Sequence, residues 1–164
     1  MNYKVIKNFL DTDKFIKIKD TIINENFPWY YKSNNEVEGG YFSHALFHDN
    51  EITSTFNKIL TSDIYKVLNP VAVIGARANL LLSSLFCGKK SEWHTDYDNN
   101  NFTAIYYLNT TDGGTEVKDD NNIKFIKAEE NKLLVMKGHV LHRALPSSDV
   151  EKRYILNFNY FERT

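Results

Sequence analysis

The sequence has only one cysteine, no marked excess of charge of either sign and no long uninterrupted apolar run. With Cys87 alone, no disulfide can form within the chain, which suits a reducing compartment. Twenty lysines and arginines stand against 21 aspartates and glutamates, and no basic run is long enough to follow a phosphate backbone. We therefore expect a cytoplasmic protein that does not have nucleic acid as a partner.

The sequence also lacks the apolar segments that membranes and export require. The longest apolar stretch, residues 71–86, is interrupted by Arg77, Asn79 and two serines, which argues against a membrane span. Near the N-terminus, Lys4 and Lys7 break the apolar residues, so the apolar core of a signal peptide is missing. The pattern predicts neither export nor a membrane partner, and it does not indicate an oligomeric state.

What the sequence does contain is enough apolar material for one core. A length of 164 residues with 42% hydrophobic residues fits a single domain, in which residues 1–69 support a core formed by residues 70–164. In the first part, the spacing of Phe15, Ile18 and Ile22 predicts a helix, preceded by Asp11 or Thr12 as its cap. Strands are also predicted at residues 3–8, 27–31 and 41–47, and a second helix at 51–60.

After Pro70 the sequence changes to apolar segments separated by short polar turns. This pattern is typical of an antiparallel sandwich or barrel. The predicted strands are residues 71–86, 92–96, 102–108, 115–118, 123–126, 132–136, 142–145 and 153–161. Eight short strands are compatible with a jelly roll, so the expected fold is mainly β with N-terminal helices. The segment 71–86 is long for one strand, and we expect it to bend.

A histidine and an aspartate stand two residues apart at positions 94 and 96. In an extended strand alternate side chains share a face, so His94 and Asp96 would point the same way. His142 is the candidate for a third ligand. Two histidines and one carboxylate leave the opposite coordination positions open, which suits non-haem Fe(II) used with oxygen.

Arg153 follows His142 across a turn-forming segment, residues 146–149. If the turn centres near Ser148, an antiparallel hairpin places His142 opposite about Ile155, and Arg153 shares the face of Ile155. His142 and Arg153 would then lie roughly 5 Å apart across the strands and about 7 Å along them. A small dicarboxylate could bridge a metal and the guanidinium. A shift of one residue would turn Arg153 to the other face.

The ordered set His94-x-Asp96, His142 and Arg153 resembles the Fe(II)- and 2-oxoglutarate-dependent oxygenases, and within them the prolyl 4-hydroxylase-like group. The resemblance extends over roughly residues 78–161. It includes segments 103–109, 113–114, 133–135 and 153–157, together with Pro146 after His142. The order and spacing of these segments are far more specific than one His-x-Asp pair.

The resemblance implies a double-stranded β-helix, which is a cupin-like jelly roll, with Fe(II) held by His94, Asp96 and His142. It further implies that Arg153 binds the distal carboxylate of the cosubstrate 2-oxoglutarate, with help from the hydroxyl of Tyr107. The family's reaction uses O2, releases succinate and CO2, and hydroxylates a substrate. We expect a protein, peptide or small-molecule substrate, and the subgroup makes a peptidyl proline the leading hypothesis.

The sequence departs from this family at Phe86, because many relatives carry a second cosubstrate-binding tyrosine about there. Lys152 competes with Arg153, since some prolyl hydroxylases use a lysine for the cosubstrate. Strand alternation allows only one of the two to face the pocket, and the pattern that follows favours Arg153. Asn157 and Asn159 share that face, so we expect them to bind cosubstrate or substrate, or to form buried structural hydrogen bonds.

The other histidines and aromatic residues have simpler interpretations. His139 stands in a turn without the downstream proline and arginine spacing, so it is a weaker ligand candidate than His142. His44 and His48 lie in a strand-like segment, which favours a surface or substrate-side role over a second metal site. The aromatic run at residues 28–31 is expected to pack in the core or to cover the mouth of the pocket, and Tyr107 could equally be a core residue.

Two alternatives to an oxygenase use the same residues. A zinc-dependent hydrolase on a similar barrel would hold an activated water with two histidines and an aspartate. That hypothesis gives no role to Arg153 or Tyr107. A catalytically silent barrel that binds another protein is the third hypothesis, and the intact ligand set with its arginine argues against it.

Overall fold

Antiparallel strands flanked by helices make up the chain in the computed structural model, which describes residues 2–33, 39–86, 88–97, 100–119 and 122–162, with the backbone alone for Phe86. The strands are β1 (Tyr3–Ile6), β2 (Tyr30–Lys32), β3 (Tyr41–His48), β4 (Glu51–Ile52), β5 (Ala72–Leu82), β6 (Phe102–Tyr107), β7 (Gly114–Asp119), β8 (Asn122–Lys127), β9 (Lys132–Lys137), β10 (His142–Leu145) and β11 (Lys152–Phe161). The helices are α1 (Thr12–Ile23), α2 (Asn57–Leu68) and α3 (Ser83–Phe86). None of these helices is both long and apolar enough to cross a membrane.

The strands form two antiparallel sheets packed face to face. The larger sheet has the order β1-β9-β6-β11-β5-β3-β2, with β4 paired to β3, and the smaller sheet has the order β10-β7-β8. Between them lies a buried cluster to which Val117 of the smaller sheet and Ile105, Leu134 and Ile155 of the larger sheet contribute. The expected jelly roll with N-terminal helices is confirmed.

Helices α1 and α2 cover the other face of the larger sheet. The apolar residues at helical spacing bury themselves there, as their sequence pattern predicts. This cluster includes Phe15, Ile18 and Ile22 of α1, Leu60 and Ile64 of α2, and Leu156 and Phe158 of β11. Because side chains alternate along a strand, the intervening residues of β11 point between the two sheets. Arg153, Ile155 and Asn157 are therefore directed into the space where a site can form.

The prediction of a helix over residues 51–60 is wrong in its first half. Asp49 and Asn50 have φ values of 51° and 63°, so two successive left-handed residues connect β3 to β4. Such a pair matches the two-residue hairpin turn that fits the twist of antiparallel strands. Ile52 is consequently 68% exposed in β4 instead of belonging to a buried helical stripe, and the helix begins only at Asn57.

Two of the predicted strands also differ from the structure. The long segment 71–86 does change direction, because β5 ends at Leu82 and the short helix α3 follows. Residues 92–96 form no strand; their ladder is reduced to one isolated antiparallel bridge between His94 and His142. The alternation argument for His94 and Asp96 therefore rested on a strand that does not form.

The expected hairpin between β10 and β11 is wrong as well. Strand β10 pairs with β7 in the smaller sheet, whereas β11 pairs with β5 and β6 in the larger one. The connection passes from one sheet to the other and is held by Asp112, whose carboxylate accepts hydrogen bonds from the backbone N–H (2.7 Å) and the hydroxyl of Ser148. His142 and Arg153 accordingly face the same cavity from opposite sheets.

Candidate active site

His94 and His142 are joined through their backbones. The N–H of His94 donates to the carbonyl of His142 at 3.1 Å, and the N–H of His142 donates to the carbonyl of His94 at 2.9 Å. This reciprocal pair brings the two imidazole rings to a centroid separation of 4.6 Å. A single bridge thus does what the predicted strand at residues 92–96 was expected to do, and it fixes both histidines at once.

Asp96 completes a cluster of three possible metal ligands. Its Oδ1 lies 4.0 Å from Nε2 of His94 and 3.9 Å from Nε2 of His142. One ligand atom from each residue lies within 4.8 Å of the others. The side chains of Asp96 and His142 are 4% and 5% exposed, while that of His94 is 21% exposed. The cluster therefore opens to solvent on the side of His94.

The hydrogen bonds of the two imidazoles to backbone carbonyls are made by Nδ1. Nδ1 of His94 lies 3.0 Å from the carbonyl oxygen of Glu92, and Nδ1 of His142 lies 3.2 Å from that of Val140. A carbonyl oxygen only accepts, so each Nδ1 carries a proton and donates, while each Nε2 faces the carboxylate of Asp96. A backbone carbonyl at the second nitrogen is the usual partner of a histidine that binds a metal. The donor set consequently fits a divalent metal ion.

Asp96 is held in place by three side chains. Asn157 and Asn159 each donate from Nδ2 to Oδ2 at 3.0 Å, and Arg77 donates from Nη2 to Oδ1 at 3.3 Å. Burial by itself raises the pKa of the Asp96 carboxyl, but the charges of Arg77 and His142 and the two amide hydrogen bonds bring that pKa down to about 2. The carboxylate is thus ionised, as a metal ligand must be.

Asn157 and Asn159 were expected either to bind cosubstrate or substrate or to form buried structural hydrogen bonds. In the structure both side chains donate hydrogen bonds to Asp96. Arg77 was not identified as a site residue from the sequence. The signal was present, since Arg77 is the one charged residue in the apolar stretch 71–86 and shares a strand face with Asn79 and Leu81. All three line the cavity.

Arg153 lies at the far end of that cavity and is 3% exposed. Its Nη1 donates to the carbonyl oxygens of Gly114 at 3.0 Å and Leu145 at 2.5 Å. Nε is buried and has no hydrogen-bond partner among the described residues. Burial lowers the pKa of the Arg153 guanidinium to about 10, so it stays charged at neutral pH. A buried cation with an unpaired donor is costly unless an anion binds to it.

Tyr107 and the cavity lining complete the surroundings of Arg153. The Tyr107 hydroxyl donates to Oγ1 of Thr115 at 2.7 Å, and burial raises the pKa of this phenol to about 12. The cavity measures about 80 Å³ and is lined at one end by Arg153 and at the other by His94, Asp96 and His142. Lys152 is exposed, so Arg153 alone of the pair faces the cavity.

The remaining histidines lie elsewhere. His139 is exposed, and His48 is exposed beside Asp49, with 3.5 Å from its Nε2 to the carboxylate. His44 is buried and bridges structure, with 2.7 Å from Nδ1 to the Pro28 carbonyl and 2.7 Å from Nε2 to the Ser54 hydroxyl. None of the three lines the cavity between the sheets.

Two further sequence expectations concern aromatic residues. Trp29 packs against Phe27 at 4.9 Å and Tyr154 at 6.1 Å between ring centroids. Since Trp29 belongs to the cluster on the helix side of the larger sheet, it lies in the core and away from the pocket mouth. The expectation for the side chain of Phe86 lies outside the described residues.

A match to a known family is found for about half of the chain. Residues 81–161 match the family model described as the 2OG-Fe(II) oxygenase superfamily. No curated protein sequence matches the chain. The matched segment begins in β5 and ends with β11, and it contains the His94, Asp96, His142 and Arg153 positions.

Solved structures with the same fold include members of this group. A prolyl hydroxylase from Trichoplax adhaerens, in complex with an oxygen degradation domain peptide of hypoxia inducible factor, has a TM-score of 0.77 and 17% identity, with 98% of this chain and 83% of that one covered. A Pseudomonas putida prolyl-4-hydroxylase gives 0.74 and 14%, with 99% and 93% covered. A non-haem α-ketoglutarate-dependent epimerase of nogalamycin biosynthesis, SnoN, gives 0.75 and 12%, with 99% and 78% covered. At these identities the likeness shows the fold.

Proposed function

We propose that this chain hydroxylates a peptidyl substrate, with proline as the oxidised residue, because residues 81–161 match the family model of the 2OG-Fe(II) oxygenase superfamily. The family uses Fe(II) and 2-oxoglutarate, and the family and fold together support a dioxygenase. When bound, Fe(II), 2-oxoglutarate and O2 supply the oxidising chemistry and release succinate and CO2. The role of the protein is to bind, orient and shield these groups.

In this proposal His94, Asp96 and His142 are the metal ligands. Their Nε2 and carboxylate atoms converge, and each imidazole is oriented by a backbone carbonyl. Two histidines and one carboxylate leave several positions free for a cosubstrate and O2. Asn157, Asn159 and Arg77 act through Asp96, because they keep its carboxylate ionised and in one orientation.

Arg153 is proposed to bind the distal carboxylate of 2-oxoglutarate. The single observation that carries this function is the buried, unpaired Nε of Arg153 in the same cavity as the histidine and aspartate cluster. A dicarboxylate placed there reaches the cluster with one end and the guanidinium with the other. Tyr107 stays protonated at neutral pH, and its hydroxyl, which donates to Thr115 in the structure, can donate to the same carboxylate instead.

The peptidyl proline is proposed from the structural neighbours. Two of them are prolyl hydroxylases, and one of these is bound to a peptide. The cluster opens to solvent at His94, which leaves a route for a large substrate to reach it. The epimerase among the neighbours is the reason to measure the reaction directly.

The test is anaerobic addition of Fe(II) and 2-oxoglutarate, followed by exposure to oxygen. We expect a visible absorption band from the metal and cosubstrate, and then succinate in proportion to O2 consumed. Peptides that contain proline should gain one oxygen atom, as measured by mass spectrometry. Absence of both band and succinate in a protein that instead holds zinc would favour the hydrolase.

A further inference from the structure

A second pocket, which we call the groove, adjoins the cavity on the larger sheet. Residues of β3 and β5 form most of its lining. The groove measures about 180 Å³, compared with about 80 Å³ for the cavity. Tyr41 and Arg77 line both, so the two spaces meet at these residues. A ligand in the groove would consequently pass beside Asp96.

The groove has the length of a peptide. Tyr41, Ser43, Ala45 and Phe47 alternate along β3 and all line it. The seven residues from Tyr41 to Phe47 span about 20 Å at the usual rise per residue. An extended peptide of about seven residues has the same length, because its rise is the same.

The lysine and arginine among the described residues that line the groove are its cations. Arg77 lies opposite Ala45 of β3, and Lys32 lies at the Tyr41 end of that strand. Among the described residues that line it, none is acidic. Lys32 is exposed on β2, where it pairs with Tyr41. Anionic groups are attracted to such a surface, and attraction to partly buried charges is screened less by salt than attraction to exposed ones.

Arg77 has hydrogen-bonding capacity beyond its contact with Asp96. Only Nη2 reaches Asp96, at 3.3 Å, while the side chain is 37% exposed. Nε is buried, and within the described part of the chain it donates to no acceptor. A guanidinium grips a carboxylate with two parallel N–H donors. Arg77 can therefore hold Asp96 with one nitrogen and an incoming anion with others.

We propose that this groove binds an acidic peptide in extended conformation, and that Arg77 determines specificity by holding a carboxylate of the peptide beside the residue to be oxidised. The inference rests on the proposed function, since the groove opens at the proposed iron site. Lys32 adds attraction for a second acidic side chain toward the β2 end. Arg77 thus joins the substrate to the ligand Asp96.

The experiment compares labelled ten-residue peptides whose central residue is flanked by glutamate, by glutamine or by lysine. One set has a central proline and a second has a central alanine. The preference for acidic flanking residues is therefore measured independently of the preference for proline at the centre. Binding to the protein with Fe(II) and 2-oxoglutarate is followed anaerobically by fluorescence anisotropy. We expect the glutamate peptide to bind about tenfold more tightly than the glutamine peptide, and the lysine peptide to bind least tightly.

The variants separate recognition from support of Asp96. Arg77→Gln should abolish most of the glutamate-to-glutamine preference, and Arg77→Lys should retain part of it. A residue that only supports Asp96 would change iron affinity and weaken all peptides alike, leaving the preference intact, which would overturn the proposal. Lys32→Glu should reduce the preference, whereas Lys124→Glu, an equivalent charge reversal on exposed strand β8, should not.

Two further outcomes would overturn the inference alone. Displacement of the glutamate peptide by N-acetylglutamate at an equal concentration would mean that the site takes a small acid. A normal absorption band together with equal binding of the glutamate and glutamine peptides would support the proposed oxygenase function but contradict the proposed specificity for acidic peptides. Loss of the band itself in the unmodified protein would instead contradict the proposed function.

Discussion

Asn159 donates a hydrogen bond from Nδ2 to Oδ2 of Asp96 across 3.0 Å, although the two residues are 63 positions apart. The same amide group donates to Oγ1 of Thr103 at 3.0 Å, so both of its N–H bonds are used. Asn159 is 2% exposed. The β11 strand therefore supports the position of a proposed metal ligand that lies in a loop, next to the isolated bridge between His94 and His142.

Replacement of Asn159 by alanine is expected to weaken Fe(II) binding. Loss of a hydrogen bond that orients a ligand typically costs about 10- to 100-fold in metal affinity, and we expect the lower end because Asn157 also holds Asp96. Anaerobic titration with Fe(II) measures the change. Asn109→Ala is the control, since this amide makes two hydrogen bonds to the β11 backbone at Lys152 and Tyr154, away from Asp96. Equal losses in both variants would mean that Asn159 acts only through stability.

Arg153→Ala is expected to weaken 2-oxoglutarate binding by at least about tenfold, as loss of a charge-assisted hydrogen bond predicts. Iron binding should change much less, because Arg153 lies at the opposite end of the cavity from the histidines. Titration of the anaerobic absorption band with 2-oxoglutarate gives the first value, and titration with Fe(II) the second.

Two variants make the Arg153 measurement decisive. Arg153→Lys keeps the charge and much of the volume, so it should fold even if the alanine variant does not, and it should bind 2-oxoglutarate less tightly because the planar fork is lost. Lys152→Ala removes the exposed neighbour and should leave both titrations unchanged. Equal loss of iron and 2-oxoglutarate binding in Arg153→Lys would assign the arginine a structural role.

Features that depend on local alternation could be predicted from the sequence. Strand β10 was predicted at its observed bounds, and β11 within one residue. The direction of Arg153 toward the cavity also follows from alternation, because Lys152 and Arg153 must point to opposite faces of one strand. The ordered ligand pattern then brought His94, Asp96 and His142 together in the resemblance, and the structure places them within reach of one ion.

Features that depend on which strands pair could not be predicted. The turn residues after Leu145 suit a hairpin equally well as a connection between sheets, and only the pairing of β10 with β7 decides between them. Arg77 stands out in the sequence as a charged residue in an apolar stretch, but its partner could not be predicted. Its contact with Asp96 requires β5 to lie beside β11, and no local sequence pattern indicates that pairing.

The interactions of Glu116 predict that the stability of the folded protein depends on pH. Its carboxylate accepts hydrogen bonds from Nζ of Lys90 and Nε of Arg143, each at 2.7 Å, and so ties the segment before His94 to the smaller sheet. Burial raises the pKa of the Glu116 carboxyl, but these two cations more than offset burial and hold that pKa below its usual value. A lowered pKa means that stabilisation is complete above the unfolded value, near about 4.3. It is lost as the pH falls through the folded value.

The unfolding temperature of Glu116→Gln should therefore lie below that of the unmodified protein at pH 7. The difference should shrink as the pH falls below about 4, where the carboxylate takes up a proton. Thermal unfolding followed by circular dichroism at pH 7 and at lower pH measures it. Glu92→Gln, which changes an exposed neighbour of the same loop, should show no difference at either pH. A deficit of constant size at all pH values would assign the effect of Glu116 to packing.

Away from the site, the buried hydrogen bonds of Asn131 predict a large effect of its replacement on stability. Its Oδ1 accepts from the Leu10 N–H at 3.0 Å and the Tyr106 hydroxyl at 2.7 Å, and its Nδ2 donates to the Leu10 carbonyl at 2.8 Å. The residue also has a φ of 56°, a left-handed conformation that alanine adopts reluctantly.

Asn131→Ala should accordingly lower the free energy of unfolding by roughly 2–4 kcal/mol, because buried partners lose their hydrogen bonds and the backbone is strained. Asn131→Gly removes the same hydrogen bonds but tolerates the positive φ, so it should be less destabilising than alanine by about 1 kcal/mol. Urea unfolding of the three proteins separates the two contributions. If glycine and alanine were equally destabilising, the hydrogen bonds to Leu10 and Tyr106 would account for the whole effect. The left-handed backbone would then contribute nothing measurable.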